Sequence, residues 1–170
     1  MTMMTDQTEV TLRRLASQGA RAIEVMSEEN RVLDEGLLRK TWETIQDQHE
    51  FHNQASWLSL SDEMLASSEF RDAFHGGKEL KLTPGVCGTQ ACFAGWAVHL
   101  AGWDMVGATS GAILAIDPQS KTAFTVQTAA QYVLGLSWDE AETLFDGHNT
   151  RHTLGCLVEE LLTNAEVTRA

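Results

Sequence analysis

Basic residues, prolines and cysteines are all scarce in this chain, and each shortage narrows what it can be. Twelve Lys and Arg stand against 24 Asp and Glu, a formal net charge of −12 at pH 7. Nucleic-acid binding that neutralises phosphates needs a basic footprint. The longest basic clusters here are the pairs Arg13-Arg14 and Arg39-Lys40, so direct nucleic-acid binding is not expected. With only Pro84 and Pro118, long stretches are left free to be helical. Cys87, Cys92 and Cys156 make an odd, sparse set that does not read as a disulfide framework. The opening Met-Thr-Met-Met-Thr-Asp-Gln lacks the basic and apolar regions of a secretory signal. No apolar run approaches the ~20 residues of a membrane span. These absences predict a cytosolic protein with reduced thiols. Missing too are a Gly-rich phosphate loop, a Gly-x-Ser-x-Gly elbow and a His-Glu-x-x-His pair. The commonest nucleotide-binding, serine-hydrolase and zinc-protease chemistries therefore have no footing.

What is present is a globular composition, 43% apolar and 21% charged over 170 residues, enough for one domain with a real core. Apolar positions Leu12, Leu15, Ile23 and Met26 form a narrow helical stripe in residues 1–30, read as a helical extension that offers a homodimer contact. Residues 31–170 read as a single helical domain. Its first helix, about Asn30 to Gln48, places Val32, Leu33, Leu37, Leu38, Trp42 and Ile45 at core spacing. A polar connector to Trp57 follows, then a short helix from Ser61 to about Phe74 and a loop from Lys78 to Val86. Residues 112–116 and 122–126 flank the turn Asp117-Pro-Gln-Ser120, which predicts a small β-hairpin. A helix from Thr125 or Val126 ends at Gly135. Ser137-Trp-Asp-Glu140 is a capping box that opens another, stopping at Gly147. A last helix spans about His152 to Asn164. The expected fold is thus mainly α, six to seven helices with a minor hairpin near residues 112–126.

Chemistry concentrates between Cys87 and Gly102. Thr89 suits an N-cap, and Phe93, Trp96, Ala97 and Leu100 recur at helical spacing. That start puts Cys92 in the first turn, where backbone N–H groups and the helix dipole favour a thiolate. His99 lies ~10 Å further along the same helix, too far to serve as its base. Any base would be His52 or another histidine supplied by the fold. Cys87, Cys92, Cys156, His52, His75, His99, His148 and His152 are numerous enough to ligate zinc, although no second pair has finger or ribbon spacing. His52, Gln54 and Trp57 sit in a connector where packing alone does not demand them. Their simplest role is to tie that loop to the backbone around Cys87-Gly-Thr89, and a ligand or partner could use the same groups. Trp42, Trp96 and Trp138 read as core, Trp103 as exposed, and Cys92 and Cys156 as small buried apolar residues. Between Lys121 and Arg151 there is no basic residue, while Asp139, Glu140, Glu142 and Asp146 crowd one helix.

Several pieces taken together resemble a family of small, functionally uncharacterised proteins of tailed phages and actinobacteria. They are His52-Asn-Gln54 with Trp57, Cys87-Gly-Thr-x-x-Cys92-x-Ala-Gly-Trp-Ala97, Ala130-x-x-x-Leu-Gly-Leu136 and Glu140-Ala-x-x-Leu-Phe145, spread over residues 32–162. The resemblance implies a setting, the bacterial cytoplasm, and no mechanism. The reading that follows is a small acidic accessory protein that binds a host or viral protein, with no catalysis and no cofactor. Its partner- or ligand-binding candidates are His52, Gln54, Trp57, Cys87, Thr89 and Cys92. The alternatives are a thiol enzyme built on Cys92, a zinc-stabilised helical module and, as a special case of partner binding, an acidic mimic of DNA.

Overall fold

Local capping chemistry sets most helix boundaries. The computed structural model describes residues 31–56, 58–60, 68, 72, 80–85, 89–107 and 113–169. The N-terminal helical extension and its homodimer contact, Trp57, Cys87 and most of the helix expected after Ser61 lie outside the described residues. Helix α1 (Glu35–Asp47) is capped by Asp34, whose carboxylate accepts the Leu37 N–H at 2.8 Å. Helix α2 is Phe93–Leu100. Thr125 caps α3 (Val126–Leu134), and Ser137 and Glu140 close a reciprocal capping box on α4 (Trp138–Phe145). Helix α5 (Arg151–Arg169) starts behind Thr150, whose hydroxyl accepts the Thr153 N–H.

Five helices therefore stand among the described residues, beside more strand than the sequence led us to expect. The architecture is mixed helix and antiparallel sheet rather than a six- to seven-helix fold with a minor hairpin. The hairpin is present as β5 (Ile113–Ile116) and β6 (Ala123–Thr125). It is extended by β4 (Asp104–Gly107) and by β2 (Leu80–Leu82), inside a segment expected to be loop, giving the order β2-β4-β5-β6. A second, two-stranded ribbon pairs β1 (Leu58–Ser59) with β3 (Gln90–Ala91).

Register explains why the sheet forms. Leu82, Met105, Ala115 and Phe124 stand opposite one another in turn across all four strands. All four are buried in the main core. Val106, Leu114 and Ala123 form a second, smaller cluster with Ile116, as the two-residue alternation of strands requires. Helix α2 is apolar nearly all round, with every residue from Phe93 to Val98 buried, and it packs against both α1 and α3. Ala94, Gly95 and Ala97 keep that central helix slim.

Residues 31–34 clasp the end of α3. The Asp34 N–H donates to the Leu134 carbonyl at 2.9 Å, and the Arg31 guanidinium to the Leu136 carbonyl at 2.8 Å. Gly135 makes this approach feasible: its φ is +69°, and a Cβ there would lie 2.1 Å from the Val32 carbonyl oxygen. Val32, expected in the core, precedes α1 and is 83% exposed. An ion pair between Arg169 and Glu35 joins the end of α5 to the start of α1. No helix among the described residues is long and apolar enough to cross a membrane.

Candidate functional site

The connector after α1 is stitched to the strip that leads into α2. A 3-10 turn, His49–Phe51, brings the chain round, and His52 bridges Ala91 in parallel register. The Asn53 N–H donates to the Ala91 carbonyl and the Cys92 N–H to the Ser56 carbonyl, each at 3.0 Å. The Gln90 carboxamide donates to the Glu50 carbonyl. Pairing on both flanks holds residues 89–91 extended. Helix α2 therefore starts at Phe93 with Cys92 as its N-cap, not three residues earlier behind Thr89. Thr89 is buried, and its carbonyl accepts the Gly85 N–H.

Gln54 is the centre of this seam. Its carboxamide oxygen accepts the Phe93 N–H at 3.1 Å, and its nitrogen donates to the carbonyls of Leu144 at 3.1 Å and Asp146 at 3.2 Å. The two ends of the amide are fixed by these backbone partners. His52 Nε2, 3.1 Å from the same oxygen, must then be the donor, which sets the histidine tautomer. All four hydrogen-bonding positions of Gln54 are occupied, so one side chain joins the start of α2 to the end of α4. Burial, opposed by the Gln54 hydrogen bond and assisted by the Arg151 charge, lowers the His52 pKa below its ordinary 6.5.

Cys92 meets two opposed effects. Burial disfavours its thiolate, whereas the N–H groups of Gly95 and Ala94 at the helix start favour it. Burial wins: the side chain has no exposure and its pKa is pushed up to about 11. A thiol held neutral and out of solvent is a poor nucleophile. Among the described residues no three His, Cys, Asp or Glu are gathered to hold a metal ion.

The sequence candidates described here, His52, Gln54, Thr89 and Cys92, are thus brought together as an internal joint. Two surface features were not among them. One is a groove of about 210 Å³ between α4 and α5, floored by Leu144, Leu157 and Leu161 and rimmed by Asp139, Glu140 and Glu160. Trp138, at the start of α4, is 58% exposed, correcting its assignment to the core. Trp103, expected to be exposed, is instead buried against Phe124 and Tyr132. The second feature is a groove beside Trp42, where Cys156 is exposed rather than buried. The His152-x-x-x-Cys156 spacing was the signal for it, since residues four apart share a helix face. Compared with protein-family models, curated proteins and solved structures, the chain matches none.

Proposed function

We propose that this is a small acidic accessory protein of phage type that works in the bacterial cytoplasm by docking on a host or viral protein, without catalysis. The observation that carries the reading is Trp138, 58% exposed at the start of α4, the helix whose Asp139 and Glu140 rim the acidic groove shared with α5. A large aromatic left in solvent has the character of a binding anchor. The rim selects the partner by charge. Asp139, Glu140, Glu142, Glu159, Glu160 and Glu166 are all exposed on these two helices, and between Lys121 and Arg169 the only Lys or Arg is Arg151. A Lys or Arg of the partner fits the groove in both its parts, with its aliphatic stem on Leu157 and Leu161 and its cationic head among the carboxylates. The capping box explains Glu140 on structural grounds, but it gives no account of an exposed tryptophan.

A photo-crosslinking amino acid placed at position 138, and in a parallel sample at position 121 on the β5–β6 turn, tests this in bacterial cells. The reading expects one dominant adduct from position 138, with the link mapped to a Lys- or Arg-bearing segment, and none shared with position 121. Equal, diffuse labelling from both positions would refute it.

A further inference from the structure

Helix α5 carries His152 and Cys156 one turn apart, and Gly155 between them brings α1 close. A Cβ on Gly155 would come within 3.0 Å of Trp42 Cζ2, so glycine lets the indole lie against the α5 backbone. The result is a groove of about 540 Å³ lined by Trp42, Gln46, Arg151, His152, Cys156 and Glu159. Within it the Cys156 Sγ is 3.9 Å from His152 Nε2, the reach of a long S–H···N hydrogen bond. Cys156 is exposed, whereas Cys92 is sealed in the core.

We infer that Cys156 and His152 form a thiol–disulfide exchange site whose groove takes small zwitterionic peptide disulfides of the glutathione class. Trp42 gives an apolar wall for the thioether-like midsection of such a ligand. Arg151 offers a cation for its carboxylate and Glu159 an anion for its ammonium group, both exposed and in the same groove. The exchange balances without any further reagent. His152 Nε2 takes the proton from Cys156, and the thiolate attacks one sulfur of R–S–S–R. The old S–S bond breaks as the Cys156–S–S–R bond forms, and the expelled thiolate leaves as R–SH with the proton from the imidazolium. The Cys156 sulfur rises by one oxidation level and the sulfur expelled as R–SH falls by one, so oxidation and reduction cancel. The adduct then covers Trp42, so the state of the thiol is written onto the α1–α5 face.

The test incubates the native full-length protein with oxidised glutathione and maps adducts by peptide mass spectrometry over time. A single glutathionyl group on Cys156 is expected, abolished in Cys156→Ser. His152→Ala slows the exchange by roughly tenfold or more, whereas His148→Ala, an exposed histidine outside the groove, leaves it unchanged. Arg151→Ala slows exchange with oxidised glutathione but not with uncharged 2-hydroxyethyl disulfide, which separates recognition from thiol chemistry. Far-ultraviolet circular dichroism of each variant, superimposable on wild type, excludes unfolding as the cause. Faster modification of Cys87 or Cys92 than of Cys156, or equal rates with and without the His152 imidazole, would overturn the proposal.

Discussion

The Gln54 carboxamide oxygen takes the Phe93 backbone N–H at 3.1 Å, at the first turn of α2. A residue 39 positions away in sequence thus satisfies one of the N–H groups that a helix start leaves open. The same amide also donates to Leu144 and Asp146, and α2 and α4 are held in one frame.

Removing that amide strands the two donors that its oxygen serves. Gln54→Ala leaves the Phe93 N–H and the His52 Nε2–H short of an acceptor, while the Leu144 and Asp146 carbonyls each keep a donor in Asn149. The expected loss is about 2–4 kcal/mol, at roughly 1–3 for each stranded group. Gln54→Glu keeps the shape but points a carboxylate oxygen at two carbonyls, and it should cost at least as much at neutral pH. Urea denaturation midpoints decide both.

Stability should fall as the pH drops through the histidine range. Burial lowers the pKa of His52 and of His99, the latter aided by the charges of Lys81 and Lys40. Below about 6.5 the unfolded chain binds protons that these side chains refuse in the folded state, so each contributes stability that is present above that value and lost beneath it. Urea midpoints measured from about pH 7.5 down to about pH 5 should fall. His52→Gln with His99→Gln should flatten the profile in that window.

At the alkaline end the controlling group is Cys92. Its folded pKa of about 11 lies above the ordinary 9.0, so stability is fully present below pH 9.0 and lost as the pH rises towards 11. Iodoacetamide at neutral pH should label Cys156 in the native protein and reach Cys92 only after denaturation. Native-state labelling of Cys92 at the Cys156 rate would contradict its burial.

Gly135→Ala should be the most damaging of the single-methyl additions. The left-handed φ of +69° strains any β-carbon, and the new methyl would sit 2.1 Å from the Val32 oxygen. Relief requires residues 32–34 to move and the Asp34 to Leu134 hydrogen bond to break. A cost of about 2–4 kcal/mol follows, readable as a lowered thermal midpoint.

What was legible in the sequence was chemistry that acts within one turn of chain. The Ser137–Glu140 capping box, Thr125 as a cap, Gly135 as a stop and the β5–β6 turn all work over four or five residues. Misreadings came where distant pairing decides. Thr89 has the right side chain for an N-cap, but β1 and the connector pull residues 89–91 into extended form. Met105 and Val106 are too short a run to signal a strand, and β4 exists because β2 and β5 flank it. Trp103 and Trp138 changed places because helical periodicity cannot tell which tryptophan meets Phe124 and Tyr132. The tie from His52 and Gln54 to the α2 region was visible as polar residues without a packing reason. Its second anchor at the end of α4, 90 residues on, had no sequence signal.

The most direct test of the central claim is the affinity of the partner cross-linked at position 138 for wild type, Trp138→Ala and Glu160→Lys, measured by calorimetry at low and high salt. Binding through the α4–α5 face predicts that Trp138→Ala weakens it by roughly thirtyfold, the size of a hot-spot loss of about 2 kcal/mol. It also predicts that Glu160→Lys weakens binding and removes part of its salt dependence. Affinities unchanged by both substitutions, at either salt concentration, would contradict it.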